Sequence, residues 1–284
     1  KQNKETGILE EIQLANLHRN PSLNYSIWDS VLYEKAFFQP NLHVELNCAV
    51  LDAATEGSRI RSVTGWQLTS QTWHTVTAGQ FIDCSGDSIL APLTGAAWRQ
   101  GRESREEFGE DIEPEQADDR TMGQSLLIQV HRTDQPQPYT PPKWAYRFES
   151  SDDLAYRIRG VQAHNFWWVE IGGLDDTIHD AEPIRDQLMR IVYGVWDYIK
   201  NRAPEREEAR NWAVHWVGSH PGKRENRRYE GDHIMTQHDI EGAGKFEDVV
   251  AFGGWSMDDH HPAGLLYPGR PTIFHPAPSP YGIA

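Results

Sequence analysis

The chain has 284 residues, long enough to bury a sizeable core in one or two domains. Its 42 acidic and 27 basic residues give a net charge of −15, which argues against a nucleic-acid partner because a phosphate backbone needs a basic surface. Two cysteines, Cys48 and Cys84, exclude a disulfide framework and a four-cysteine cluster made by this chain alone, and no apolar run approaches the roughly 20 residues of a membrane span.

Residues 4–18 place Ile8, Ile12 and Ala15 on one helical face with Leu9 beside them, and Pro21 stops that helix. Ser26 with Asp29 three residues on is a capping-box pattern for a helix through Trp28, Val31, Leu32 and Lys35, ended by Pro40-Asn41. Val44, Leu46, Cys48 and Val50 alternate with polar residues as in a half-buried strand. Glu56-Gly57-Ser58 reads as a turn, 59–67 as a second strand, 72–77 as a third and 81–84 as a fourth, with both thiols buried and reduced. Lys1 is not a start methionine and residues 1–20 read as a helix rather than a signal peptide. The chain is expected to be cut from something longer, and its compartment is not read from its N-terminus.

Residues 99–120 interleave Arg99, Arg102, Arg105 and Arg120 with a dense acidic set, the pattern of a solvated loop or surface helix. Strands are predicted at 125–131, 144–149 and 164–171, with a proline-rich connector between the first two. The strongest helix begins near Pro183, with Asp180 as its cap. Ile184, Leu188, Ile191, Val192, Val195, Trp196 and Ile199 follow the 3.6 period, so this helix should lie across an antiparallel sheet with Asp186 and Lys200 exposed. Residues 212–217 and 249–255 complete the strands. The fold class is α+β.

The segment Phe81-Ile82-Asp83-Cys84-Ser85-Gly86-Asp87 ends a short apolar run in Ser-Gly-Asp and passes into a small-residue, helix-compatible stretch. Small residues there let backbone N–H groups approach a ligand, and Gly86 removes the Cβ that would hold a flat ring or a phosphate away. Alone, the same seven residues also suit an ordinary strand-to-helix connection.

Several pieces occur in a telling order: Glu5-Thr6-Gly7-Ile8-Leu9-Glu10-Glu11, the Trp28 helix, Asn47-Cys48-Ala49-Val50, Ile82-Asp83-Cys84-Ser85-Gly86-Asp87, Gly101-Arg102-Glu103-Ser104-Arg105, Thr121-Met122-Gly123, Lys223-Arg224-Glu225-Asn226-Arg227-Arg228 and Gly253-Gly254-Trp255. Together they resemble the bacterial FAD-dependent oxidoreductase family whose flavin module is similar to that of the heterodisulfide reductase A subunit. The resemblance covers nearly the whole chain. It implies a partial FAD-binding domain over 1–97, Rossmann-like and of the glutathione-reductase type, with a β-meander. An antiparallel-sheet substrate domain covered by a helix would follow over 98–284.

It implies FAD as cofactor, no iron–sulfur cluster, and hydride transfer at the flavin to or from a small polar, carbohydrate-derived substrate. Ala49 and Val50 would face the adenine, and Ser85, Gly86 and Asp87 would approach the dinucleotide. Such proteins open with a Gly-x-Gly-x-x-Gly turn and close with a strand–helix segment on the flavin, and this sequence holds neither. The resemblance therefore implies the middle portion of a flavoenzyme.

Four basic residues in the six positions 223–228, with His215 and His220 before them, form the strongest candidate for chemistry. A reduced flavin favours nearby positive charge, and substrate oxidation needs a base. The expected catalytic set is His215, His220, Arg224 and Arg228, and the expected substrate-binding set is Arg102, Arg227, Trp255, Asp259 and His260. Spacing alone favours a solvated loop paired with Glu225, Glu230 and Asp232 over a site, and a core histidine at 215 suits it as well as a base does. In Asp258-Asp259-His260-His261, neighbouring side chains of an extended chain point opposite ways, which argues against one shared metal ion. Eleven tryptophans raise the rival reading of a carbohydrate-binding module or glycosidase, though most fall in or beside predicted strands, where core packing accounts for them.

Overall fold

The computed structural model describes residues 6–154, 161, 168–269 and 272–284. Helices α1 (Gly7–Arg19) and α2 (Tyr25–Phe37) lead into the antiparallel meander β1 (Cys48–Glu56), β2 (Arg59–Gln67) and β3 (Thr72–Thr77). Short elements follow: α3 (Leu90–Thr94), β4 (Trp98–Arg99), α4 (Arg105–Phe108), β5 (Gln124–Ser125), β6 (Ile128–Arg132) and β7 (Glu170–Ile171). The long helix α5 (Ala181–Asp197) precedes β8 (Trp212–Val217), β9 (Arg228–Tyr229) and α6 (Gln237–Glu241). The chain then forms β10 (Ala251–Gly253), β11 (Met257–His260), β12 (Thr272–His275) and β13 (Tyr281–Ile283). Beyond the meander, the described strands pair only in twos, all antiparallel: β4–β9, β5–β7, β6–β8, β10–β13 and β11–β12.

The core lies under α5. Its Ile184, Leu188, Ile191, Val192, Val195 and Trp196 are buried against Leu126, Ile128 and Val130 of the β5–β6 segment, Phe148 and Val169. Gly194 lets the 142–148 segment cross closely: a Cβ there would stand 2.0 Å from the Tyr146 carbonyl oxygen. The helix does not run regularly to residue 200. It widens into a π-turn over Tyr198–Arg202, and Lys200, expected in solvent, donates to the carbonyls of Ala209, Arg210 and Trp212 at 2.6–3.1 Å. Asp180 takes the N-cap place of α5 but makes no side-chain cap bond.

The first third is packed differently. Helix α1 buries no residue, leaving Ile8 and Leu17 each 74% exposed, and of α2 only Val31 is buried. Asn24, not Ser26, caps α2, its carboxamide oxygen accepting from the Ser26 and Ile27 amides. Strand β1 begins at Cys48 rather than Val44, because Asn47 takes a left-handed φ of 54° and breaks the extended run. Residues 81–84 are extended but pair with no described strand; Ile82 is 87% exposed and Cys84 is exposed as well, so that thiol is not a buried one. Residues 144–149 likewise join no strand, docking instead by the Tyr146 amide on the Arg190 carbonyl at 2.8 Å. Half of the strand expected at 164–171 lies outside the described residues; of the other half only Glu170 and Ile171 form a strand.

Candidate active site

The ledge 81–87 is bound tightly to the basic segment 223–229. The Asp83 carboxylate accepts from the Ser85 amide at 2.9 Å, the Leu90 amide at 3.0 Å and the Tyr229 hydroxyl. Burial alone would raise the Asp83 pKa, but these bonds to the ionised form bring it down to about 2, while burial and Asp83 together push Tyr229 up to about 12. Asp87 takes Lys223 Nζ at 2.6 Å and the Asn226 amide on its two carboxylate oxygens, and its carbonyl accepts from Arg227 Nε at 2.9 Å. The Arg227 guanidinium also lies 5.6 Å from the centre of the Trp98 ring, a cation–π distance.

Strand β9 is the wall between this ledge and a cavity. Arg227 faces the ledge, whereas the next residue, Arg228, turns to the other side, as strand periodicity requires. There Arg228 pairs with Glu103 at 2.8 Å and with Glu225. The cavity has a volume of about 530 Å³ and is lined by residues from the segments 99–122, 225–240 and 257–262 with His275. Three of the four methionines (Met122, Met235 and Met257) line it beside Phe108 and Tyr229. The acidic run expected to be solvated thus forms one side of a cavity: Arg102 pairs with Asp118, and the Arg102 and Asp118 backbones bridge across the intervening loop.

Opposite stands a buried charge chain. On β11, Asp258 and His260 share a face, with Asp259 on the other. The His260 ring is sandwiched, Nδ1 at 2.9 Å from Glu170 and Nε2 at 2.9 Å from Asp258. Both neighbours are carboxylates, so both ring nitrogens carry protons and donate. Burial would lower the His260 pKa, but the bond to Glu170 and the charges of Glu170 and Asp258 outweigh it and hold the pKa above the ordinary value. Glu170 is fully buried, and the Arg224 guanidinium lies 3.6 Å away.

The residues expected to act are only partly gathered. Arg102, Arg228, Asp259 and His260 line the cavity, and Arg224 reaches its edge through Glu170. Arg227 faces the ledge instead. His215 is exposed on β8, stacked edge-on to His131 at 5.3 Å and 3.3 Å from the Asn24 amide of the α2 cap. His220 is exposed and Trp255 is 56% exposed; neither lines the cavity. Ala49 and Val50 lie on β1, against which α3 packs, so they share a layer with the segment following Ser85, Gly86 and Asp87. Sequence reading passed over Glu113, whose carboxyl lines the cavity and is pushed up to about 7 by burial and by the charges of Glu103 and Glu110. It also passed over Asp83 and Glu170. Their signals were present, an acid inside an apolar run in each case, but the partners lie 146 and 90 residues away. Among the described residues no group of three or more His, Cys, Asp or Glu is placed to hold a metal ion, and no helix is long and apolar enough to cross a membrane.

The family model described as FAD dependent oxidoreductase matches residues 2–284, and the chain belongs to that family. No curated protein and no solved structure matches. The protein is an FAD-dependent oxidoreductase, and FAD is its cofactor. The ledge fits such a group: its backbone pairs with no described strand, and Gly86 sits at φ +79° with nothing within 4 Å of the position a Cβ would take. A flat ring or a phosphate can therefore approach that backbone.

Proposed function

We propose that this chain holds a small polar, carbohydrate-derived substrate in the cavity behind β9 and a flavin on the Ser85-Gly86-Asp87 side of the same strand. FAD supplies hydride chemistry when bound. In this reading residues 1–97 belong to the cofactor-binding part, with Ala49, Val50, Ser85, Gly86 and Asp87 on the dinucleotide, and 98–284 form the substrate part. Arg102, Arg228 and Asp259 orient the substrate, while His260, held by Glu170 and Asp258, presents a fixed cation. Arg224 tunes that charge through Glu170.

The observation that carries this reading is the position of β9, with Arg227 bonded to the ledge and Arg228 turned into the cavity. A wall one strand thick brings a ligand of each side within reach of the other. A volume of about 530 Å³ suits a small molecule.

The test is anaerobic bleaching of the flavin absorbance in the full-length protein by a panel of monosaccharides and polyols. Arg228→Ala should slow bleaching at least about tenfold, or 1.4 kcal/mol of barrier, with the melting temperature nearly unchanged. Bleaching at the wild-type rate would remove the cavity from the reaction.

A further inference from the structure

The cavity's charges are unevenly satisfied. Its three arginines are all paired: Arg99 with Glu107 and Glu230, Arg102 with Asp118, and Arg228 with Glu103 and Glu225. His233 is paired with Asp239, and His260 gives both ring nitrogens to carboxylates. Two carboxylates in the lining differ. The side-chain carboxylates of Glu113 and Asp259 have no hydrogen-bond or ion-pair partner within 4 Å among the described residues, Arg102 acting on both from farther away. Glu113 is faced by Glu103, Glu110 and Glu225, with the Arg102 charge opposing them. Glu110 is nearly buried and accepts only from the Gln237 amide, so it too lacks a described cation.

Two more polar atoms in the lining are buried without a partner among the described residues: the second Asp258 oxygen and His275 Nε2. Buried polar atoms are nearly always bonded, so these two offer further hydrogen-bonding positions to a ligand of the cavity. Beside them lie methionines, Phe108 and Ile112, a surface for alkyl carbon. We propose that the cavity recognises a cationic amine, its ammonium set between Glu113 and Asp259 and its carbon skeleton against the methionines. An anion would meet only arginines already neutralised and would add a like charge to the unpaired carboxylates.

Deepening the reading above, this rests on the same cavity and narrows the polar substrate to one that bears an amine. An ammonium supplies three donors and one charge, which suits two carboxylates that accept no side-chain hydrogen bond among the described residues and share one distant arginine, Arg102. Because the crowding of Glu103 and Glu110 keeps Glu113 partly protonated near neutral pH, the ammonium takes the place of that proton and binding releases it.

The experiment is calorimetry on the full-length flavin-loaded protein at pH 7 with three probes of matched size: n-propylammonium, propionate and glycerol. Saturable binding of propylammonium with proton release, seen as a dependence on the buffer's ionisation heat, is expected, with no saturable binding of propionate. Glu113→Gln should weaken propylammonium at least tenfold and abolish the proton release. Asp259→Asn, on the exposed rim, gives a second measurement should the first variant fold poorly, and should also weaken binding. Tighter binding of propionate or glycerol, absence of saturable ammonium binding, or variants that bind as the parent does would each overturn the inference. Ammonium binding without any flavin bleaching by amines or polyols would sink the redox reading of the cavity and leave amine recognition standing. Bleaching by a polyol without ammonium binding would do the reverse.

Discussion

Asp87 and Lys223 stand 136 positions apart in the chain and meet at 2.6 Å, tying the Ser-Gly-Asp ledge to the basic segment. The other Asp87 oxygen takes the amide of Asn226, which is 1% exposed. The ledge is therefore placed by its partners rather than by a sheet, since no described strand flanks it.

Asp87→Ala should cost on the order of 1–3 kcal/mol in urea unfolding, chiefly by leaving the buried Asn226 amide without its acceptor. The Lys223 contribution should be smaller, because both side chains of that pair are partly exposed and screened. A double-mutant cycle with Asn226→Ala separates the two. Additive losses would mean that the ledge and segment are not coupled through this carboxylate.

Leu188 tests the core in the same units. It is 0% exposed on the inner face of α5, so Leu188→Ala should cost about 2–5 kcal/mol. A loss below about half a kcal/mol, the range of surface changes, would show that the apolar stripe does not face the core.

His260→Ala would strip the fully buried Glu170 of its hydrogen-bond donor, leaving only Arg224 at 3.6 Å. Breaking a buried pair in this way should cost about 3–5 kcal/mol. The pH dependence has a definite sign. His260 has a folded-state pKa above the ordinary 6.5, so its stabilisation is fully present below pH 6.5 and is lost as pH rises through the folded value. The gap between parent and variant should therefore narrow on the alkaline side. A gap that widens with pH would mean the ring is neutral in the fold.

The strands 59–67, 72–77 and 212–217 and the long helix were legible because their period is carried by the residues themselves. Alternation also misled. Val44 to Val50 alternates cleanly, yet Asn47 turns the chain and pairing starts at Cys48, because a strand exists only where a partner supplies the ladder. The same requirement undid 81–84 and 144–149. The β4–β9 pair, two residues from each of two distant segments, leaves no local trace at all, and it is this pair that separates ledge from cavity. Arg102, Arg228, Asp259 and His260 were nominated from sequence and do line one cavity. His215 was nominated with them because it is near in sequence, but strand β8 carries it to the α2 cap instead. Glu113 could not be singled out among the acids of 103–119, since its neighbours are like charges from Glu103, Glu110 and Glu225 rather than a motif.

Glu113 also gives the sharpest test that needs no substrate. Its folded pKa of about 7 lies above the ordinary 4.5, so the fold disfavours the ionised form and binds more protons than the unfolded chain between those values. Its contribution to stability is greatest below pH 4.5, falls as pH rises towards 7 and is level above that, the reverse of an ion-paired carboxylate. Glu113→Gln, which cannot ionise, removes this slope. The variant should melt near the parent at pH 4 and above it at pH 8, where the parent carries an unpaired charge beside three other carboxylates. Propylammonium at saturating concentration should recover part of the parent's deficit at pH 8 and do little for the variant, because the added cation compensates the charge that only the parent bears. Equal melting temperatures at both pH values would place Glu113 in water rather than in the crowded wall of the cavity.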